Sequence, residues 1–118
     1  MVERYELDYG HKVRVTSGKN KNREGVVVMA SRLGDVGINT EEIPRPGKYD
    51  LRELPNNLDI ISTGDPYNIR KQIKLDDLSW FEYDRVIYGL NDPNVVKNHP
   101  ELFEGHLLLR RVKEIAER

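Results

Sequence analysis

The sequence contains no cysteine and no long run of apolar residues. Without cysteine, neither a disulfide framework nor a thiolate metal site can form, and such a composition suits a reducing compartment. No stretch approaches the roughly 20 apolar residues that a membrane-spanning helix needs. The first ten residues carry acids and tyrosines where a secretory signal peptide would have an apolar segment. These absences predict a cytoplasmic protein without membrane contact.

An excess of positive charge is also lacking. Nineteen Lys and Arg residues are balanced by twenty Asp and Glu residues, which gives a formal net charge of -1. A chain with this balance is not expected to wrap nucleic acid over its whole surface, so any such contact should be local. Its length of 118 residues suffices for one modest core, and we expect a single domain over residues 1–118.

Two apolar segments near the start of the sequence predict a β-hairpin. Residues 12–15 alternate between basic side chains and valines, which is the period of a half-buried strand. Residues 26–30 form a second apolar segment. The intervening residues 17–25 are turn-forming or charged and include no apolar side chain. They are therefore predicted to form a long, basic, exposed loop.

Three further strands are predicted along the middle of the chain. A short strand is expected over residues 36–39 and another over 58–62, the latter inside a proline-rich segment, 43–66, that is otherwise an extended loop. Mostly alternating apolar residues predict one more strand over 69–78.

Helical signals occur near the end of the sequence. Asp92 followed by Pro93 is typical of an N-cap and a first helical position. Asn98 and Glu101 have the spacing of a capping box, and apolar residues recur at helical intervals from Leu102 onward. The sequence therefore predicts a C-terminal helix.

Residues 11–28 resemble the KOW motif, which is found in NusG-type transcription elongation factors and in several ribosomal large-subunit proteins. The matching residues are Lys12-Val13-Arg14-Val15, Ser17-Gly18-Lys19, Lys21 and Arg23-Glu24-Gly25-Val26-Val27-Val28. Gly18 is expected to take a positive φ, and Gly25 to lie where a Cβ would obstruct a close crossing of backbones. Family members commonly have glycine at the position of Asn22, and asparagine tolerates a left-handed backbone.

The resemblance implies a mainly β, α+β fold. Its central part would be a small SH3-like β-barrel of KOW type over about residues 8–84, with a loop insertion at 43–66 and a C-terminal helical extension at 92–118. The implied function is a non-enzymatic binding module that contacts RNA or a ribonucleoprotein or polymerase surface of transcription or translation. Neither a cofactor, a metal nor a small-molecule substrate is expected. The residues implied to contact nucleic acid are Lys12, Arg14, Lys19, Asn20, Lys21, Asn22 and Arg23.

The basic residues are compatible with more than one role. The loop also suits protein contact or simple solvation, and the alternative function is a protein-interaction or assembly subunit of a larger complex without nucleic-acid contact. Arg110, Arg111 and Lys113 form a second basic cluster near the end of the sequence. This cluster either stabilises the end of a helix or extends the binding surface.

Aromatic residues form a third group of interest. Trp80, Phe81 and Tyr83 have the chemistry of a base-stacking platform, but such a cluster more often closes a barrel or seats a helix. Trp80 and Phe81 are therefore expected in the core.

Two clusters of ionisable residues suggest chemistry that their spacing does not support. One contains His99, Glu101, Glu104 and His106, whose histidines are too far apart for a helical zinc site. The other is the neighbouring pair of Asp76 and Asp77, whose carboxylates would point to opposite faces of a strand.

Overall fold

The computed structural model describes residues 2–41, 43–73 and 78–118. The strands are β1 (Lys12–Val15), β2 (Glu24–Ala30), β3 (Val36–Asn39), β4 (Leu51–Glu53) and β5 (Leu58–Ser62). The helices are α1 (Ile69–Gln72), α2 (Trp80–Asn91), α3 (Pro93–Asn98) and α4 (Leu107–Ala116), with 3₁₀ turns at Arg4–Glu6, Pro55–Asn57 and Pro100–Phe103. This content confirms the α+β class, but the expectation of a mainly β fold is wrong, because in the described residues the helices cover more of the chain than the strands.

The strands form one antiparallel sheet in the order β4-β3-β2-β1-β5. β5 returns to pair with β1, so β4 and β5 are the two edges. Only residues 54–57 connect these edges, and three of them form a 3₁₀ turn, which rises only about 2 Å per residue. The edges of a flat five-stranded sheet would lie about 19 Å apart. The sheet is therefore curled, although it is not closed, because no strand ladder joins β4 to β5 in the described residues.

The concave face of the curled sheet encloses the main core. All five strands contribute buried side chains, and Phe81 of α2 packs among them. In β1 the valines are buried and the basic side chains are exposed, as the alternation predicts. Among the described residues, the buried members of this main core are Leu7, Val13, Val15, Val27, Val36, Ile38, Leu51, Leu58 and Phe81.

β2 is covered on its convex face as well. Val26 and Val28 pack against Ile69 of α1, with Tyr9 and Ile73 beside them. Because both faces of β2 are covered, this strand is a nearly continuous run of buried valines, and its sequence does not alternate.

The strand predicted over residues 69–78 is wrong, since its first part is helix α1. Ile69 and Ile73 lie four residues apart, a spacing that fits one face of a helix as well as one face of a strand. The carboxylate of Asp65 accepts the backbone N–H groups of Ile69 and Arg70 at 2.9 and 3.0 Å. This acceptor satisfies the free N–H groups of the first turn and favours the helix.

Helix α2 is not among the elements predicted above, although Tyr83, Ile87 and Leu90 recur at helical spacing in the sequence. Ser79 caps it by accepting the backbone N–H of Glu82 at 3.2 Å, and the Ser-x-x-Glu spacing is that of a capping box. Its buried face consists of Phe81, Arg85 and Gly89. Only the first of these three is a large apolar residue, and the apolar residues at helical spacing lie on the exposed side of α2.

The C-terminal helix is confirmed but begins later than predicted. Leu102 lies in the 3₁₀ turn that precedes α4 rather than in the helix. The expected capping box of Asn98 with Glu101 is not formed, since Asn98 is the last residue of α3. The N-cap of α4 is His106, whose Nδ1 accepts the backbone N–H of Leu108 at 3.1 Å.

A buried polar group joins α2 to the N-terminal segment. Arg85 donates to two backbone carbonyls of that segment at 2.9 and 2.6 Å and lies 3.5 Å from the carboxylate of Asp8. His11 is buried beside it and accepts the backbone N–H of Asp8 through Nδ1. Burial lowers the pKa of His11 to about 4, with Asp8 opposing the shift and Arg70 and Arg85 adding to it. The imidazole is therefore neutral at physiological pH.

Replacing Gly25 with alanine should destabilise the fold by about 1–3 kcal/mol. A Cβ at this position would lie 2.4 Å from the backbone oxygen of Asn39 and 2.6 Å from Cγ2 of Ile38, which confirms the predicted close crossing of backbones. The matched control is Gly64→Ala, whose Cβ would meet nothing nearer than Ser62 Oγ at 3.6 Å. Urea unfolding measures both variants, and equal stabilities would contradict the steric argument.

Candidate nucleic-acid interface

The predicted loop between β1 and β2 is present but shorter than residues 17–25, because β2 begins at Glu24. Residues 17–23 are called the basic loop below. Its backbone is tied to itself and to β1: Lys21 donates to the carbonyl of Gly18 at 3.2 Å, and Asn22 donates to that of Val15 at 2.8 Å. Gly18 and Asn22 have φ values of 82° and 73°. Both therefore adopt the left-handed conformations predicted for them, and the loop has a defined shape.

Arg23 turns back toward acids of this chain. Its Nη2 lies 2.6 Å from Thr40 Oγ1, 3.2 Å from Asp50 Oδ2 and 3.3 Å from Glu41 Oε1. These three acceptors belong to the connection between β3 and β4. The guanidinium of Arg23 is therefore engaged within the chain, and its geometry is that of a brace for the basic loop.

The carboxylate of Asp50 is held in its charged form. Partial burial alone would raise the pKa of Asp50, but hydrogen bonds from Thr40 and the charge of Arg23 outweigh this effect and keep the pKa below its ordinary value. A lowered pKa means that this interaction stabilises the folded state above the ordinary carboxyl pKa and is lost only as the pH falls below it. The brace is intact at neutral pH.

Asn20 attaches the other side of the basic loop to the last residue of β4, Glu53. Its Nδ2 donates to Glu53 Oε1 at 3.2 Å, and the side chain of Asn57 donates to Glu53 Oε2 at 2.8 Å. The side-chain oxygen of Asn57 accepts the hydroxyl of Ser17, and its backbone carbonyl accepts the backbone N–H of Thr16. These contacts exist because the curl of the sheet brings its edge against the loop.

Lys19 and Lys21 have a different environment from Arg23. Both are exposed, and neither ammonium group has an acidic or hydrogen-bonding partner in the described part of the chain. Asn22 is exposed as well. The structure thus places two lysines at the outer end of a braced loop.

The two predicted basic residues of β1 lie apart from these lysines. Lys12 is exposed at the end of β1 that is farther from the basic loop. It lies about 10 Å along the strand from Val15, the residue of β1 nearest the loop. Arg14 lies 3.7 Å from Glu24 on the neighbouring strand, and both side chains are exposed. The loop cluster therefore comprises Lys19 and Lys21 without the residues of β1.

The second basic cluster is largely neutralised within the C-terminal region. Lys113 lies 2.8 Å from Glu104, and Arg111 lies 3.3 Å from Glu114. Arg110 is exposed on the same helix, α4, which packs against α2, α3 and the preceding 3₁₀ turn. These ion pairs favour a helix-stabilising role for the cluster over an extension of the binding surface.

The aromatic group divides between core and surface. Phe81 is fully buried, as predicted, whereas Trp80 is 39% exposed, so its assignment to the core is wrong. Trp80 and Tyr83 contact each other edge to face at 5.7 Å, and the guanidinium of Arg4 lies 5.8 Å from the Trp80 ring. Successive residues of a helix point about 100° apart, which places Phe81 inward and Trp80 outward.

The histidines of the C-terminal cluster have other roles. His99 lies 3.8 Å from Glu101, and His106 caps α4. Over residues 2–41, 43–73 and 78–118, no three His, Asp or Glu side chains are placed to hold a metal ion together. Asp76 and Asp77 lie outside the described residues.

Comparison with protein-family models, with curated proteins and with solved structures found no match for this chain. Among the described residues, none of the helices combines the length and the apolar character needed to cross a membrane.

Replacing Arg23 with alanine should loosen the basic loop more than it destabilises the fold. Arg23 is 39% exposed, so its ion pairs should contribute at most about 1 kcal/mol to stability. Their loss should nevertheless accelerate amide hydrogen exchange across the loop. Exchange measured by NMR tests this, with Lys21→Ala as the control because its side chain braces nothing. Unchanged exchange in Arg23→Ala would contradict the bracing role.

Proposed function

We propose that this chain is a non-enzymatic binding module that docks on RNA, free or within a ribonucleoprotein, with Lys19 and Lys21 contacting phosphates. One observation carries the proposal: the basic loop is held on both sides while its two outer lysines have no acidic partner in the described residues. A loop that serves only solubility needs charge but no fixed shape. A phosphate-binding loop gains affinity from a fixed shape, because less ordering is required on binding.

The finer description of the fold belongs to the same proposal. An SH3-like barrel of KOW type is supported by the return of β5 to β1 and by the short connection that curls the sheet. It is further supported by the left-handed conformations of Gly18 and Asn22 and by the close backbone approach at Gly25, all of which agree with the KOW-like sequence. Phosphate contacts of this kind position an RNA without reading its sequence.

Replacing both Lys19 and Lys21 with alanine should weaken RNA binding and flatten its salt dependence. Each lost contact with single-stranded RNA lowers the slope of log K against log salt by about 0.7, so the double variant should lose about 1.4. Fluorescence anisotropy with a labelled ten-nucleotide oligoadenylate, titrated from about 50 to 200 mM salt, measures both effects.

The matched control for charge is the double variant Arg32→Ala/Lys97→Ala. Both residues are exposed and lie outside the basic loop, on the turn after β2 and on α3. The control should bind the oligoadenylate nearly as well as the parent chain. An equal loss in both double variants would show that overall charge, rather than the loop, governs binding.

A second candidate function, a protein-interaction or assembly subunit, is favoured by a different surface. On α2, Tyr83, Ile87 and Leu90 are 47%, 40% and 57% exposed. Their spacing of four and three residues places them along one side of the helix. Such a row of exposed apolar side chains is typical of a surface that another protein covers.

Retrieval of partners with tagged chain, with and without ribonuclease, separates the two functions. Under the second function, a protein partner should survive nuclease and moderate salt, and Ile87→Lys/Leu90→Lys should abolish its retention while Lys19→Ala/Lys21→Ala should not. Loss of all partners after ribonuclease treatment would contradict the second function and agree with the first.

A further inference from the structure

A cleft of about 810 Å³ lies between the β3–β4 connection and the turn before α1. Its walls are formed by Glu41, Ile43, Arg45 and Tyr67. Glu41 is also one of the acceptors of Arg23, the residue that braces the basic loop. One side chain therefore belongs both to the wall of the cleft and to the support of the loop, which makes the two features neighbours on the surface.

Hydrogen bonds to the backbone hold both walls of the cleft. On one side, Gly47 donates to the carbonyl of Val28 in β2 at 2.8 Å, and Pro44 is buried. On the other side, the carbonyl of Tyr67 accepts Nε2 of Gln72 at 2.9 Å. The cleft is thus part of the folded structure and needs no closing movement to exist.

The lining combines flat, apolar and charged groups. Ile43 is 76% exposed and Tyr67 is 45% exposed, so two large apolar side chains face water at one cleft. Arg45 is exposed and has no acidic partner in the described ranges. A phenol ring and a guanidinium both offer a flat surface on which a nucleobase can stack. The carboxylate of Glu41 can accept an N–H from the edge of such a base.

We infer that this cleft receives an unpaired nucleobase of the RNA strand whose phosphates contact the basic loop. The inference rests on the proposed function and narrows its ligand to single-stranded RNA, because the bases of an A-form helix are stacked and paired and cannot enter a cleft. Charge favours a polyanion over an apolar peptide, because Arg45 lines the cleft and Lys19 and Lys21 belong to the loop that Arg23 joins to Glu41 of the cleft wall.

Three ten-unit probes test the inference by fluorescence anisotropy: oligoadenylate RNA, a strand of equal length and charge without bases, and oligoadenylate annealed to oligouridylate. The parent chain should bind oligoadenylate at least about fivefold more tightly than the strand without bases, the lower end of what one stacked base contributes. Tyr67→Ala should remove this difference and leave binding of the baseless strand and of the duplex unchanged. Tyr67→Phe keeps the ring and should preserve the difference.

The matched control is Tyr83→Ala, which removes a tyrosine of similar exposure from α2 and should leave the preference for bases intact. Lys19→Ala/Lys21→Ala should weaken binding of all three probes. Circular dichroism of the Tyr67 variants confirms that they fold.

The outcomes distinguish the inference from the function on which it rests. Equal binding of oligoadenylate and the baseless strand by the parent chain would overturn the cleft assignment and leave the phosphate contacts standing. Failure to bind any probe at low salt would overturn both. If Tyr67→Ala instead lost a nuclease-resistant protein partner without changing the preference for bases, the cleft would be a protein-binding site and the inference would be wrong.

Discussion

The short connection between the two edge strands is the constraint on which the rest of the structure depends. Four residues join β4 to β5, although these strands lie at opposite edges of a five-stranded sheet. The sheet can satisfy both conditions only by curling. The curl gives the core its concave side, which Phe81 of α2 fills, and it brings Glu53 and Asn57 to the basic loop. The curl of the sheet thus determines both the position of the main core and the contacts that hold the basic loop.

The convex side of the sheet is covered only in part, and the cleft lies between the segments that cover it. Val26 and Val28 of β2 are covered by α1, while the β3–β4 connection is bonded to the backbone of Val28. Both walls of the cleft therefore rest on β2. The cleft is the gap between the two segments that cover this strand, the β3–β4 connection and the α1 segment. On β1 the same face carries exposed Lys12 and Arg14 and needs no cover.

Local chemistry determines which elements the sequence predicts. The valine alternation of β1 and the left-handed positions of the basic loop follow from neighbouring residues, so a single sequence suffices to find them. It does not suffice for β4, because the three residues of that strand have no period of their own and are held in strand form by pairing with β3. The two helices α1 and α2 differ in what the sequence shows. The segment of α1 is too short for apolar spacing to distinguish helix from strand. In α2 the apolar repeat lies on the exposed side, while tertiary contacts select the buried residues: Arg85 satisfies backbone carbonyls of the N-terminal segment, and Gly89 admits Val112 and Phe103.

The candidate site differs from its prediction for a reason that sequence cannot show. Arg23 is neutralised by residues 18 and 27 positions away, in a connection whose path has no local signal. Losing this cation as a phosphate contact leaves two lysines in the loop, and two contacts give weak, shallowly salt-dependent binding. A chain with net charge -1 cannot add to them through its overall field. Useful affinity for RNA then requires a second contact, outside the basic loop and close enough to act together with the first. Under the proposed function, the cleft beside Glu41 would supply this contact. The brace that removes one cation would then also hold the cleft wall that faces Tyr67.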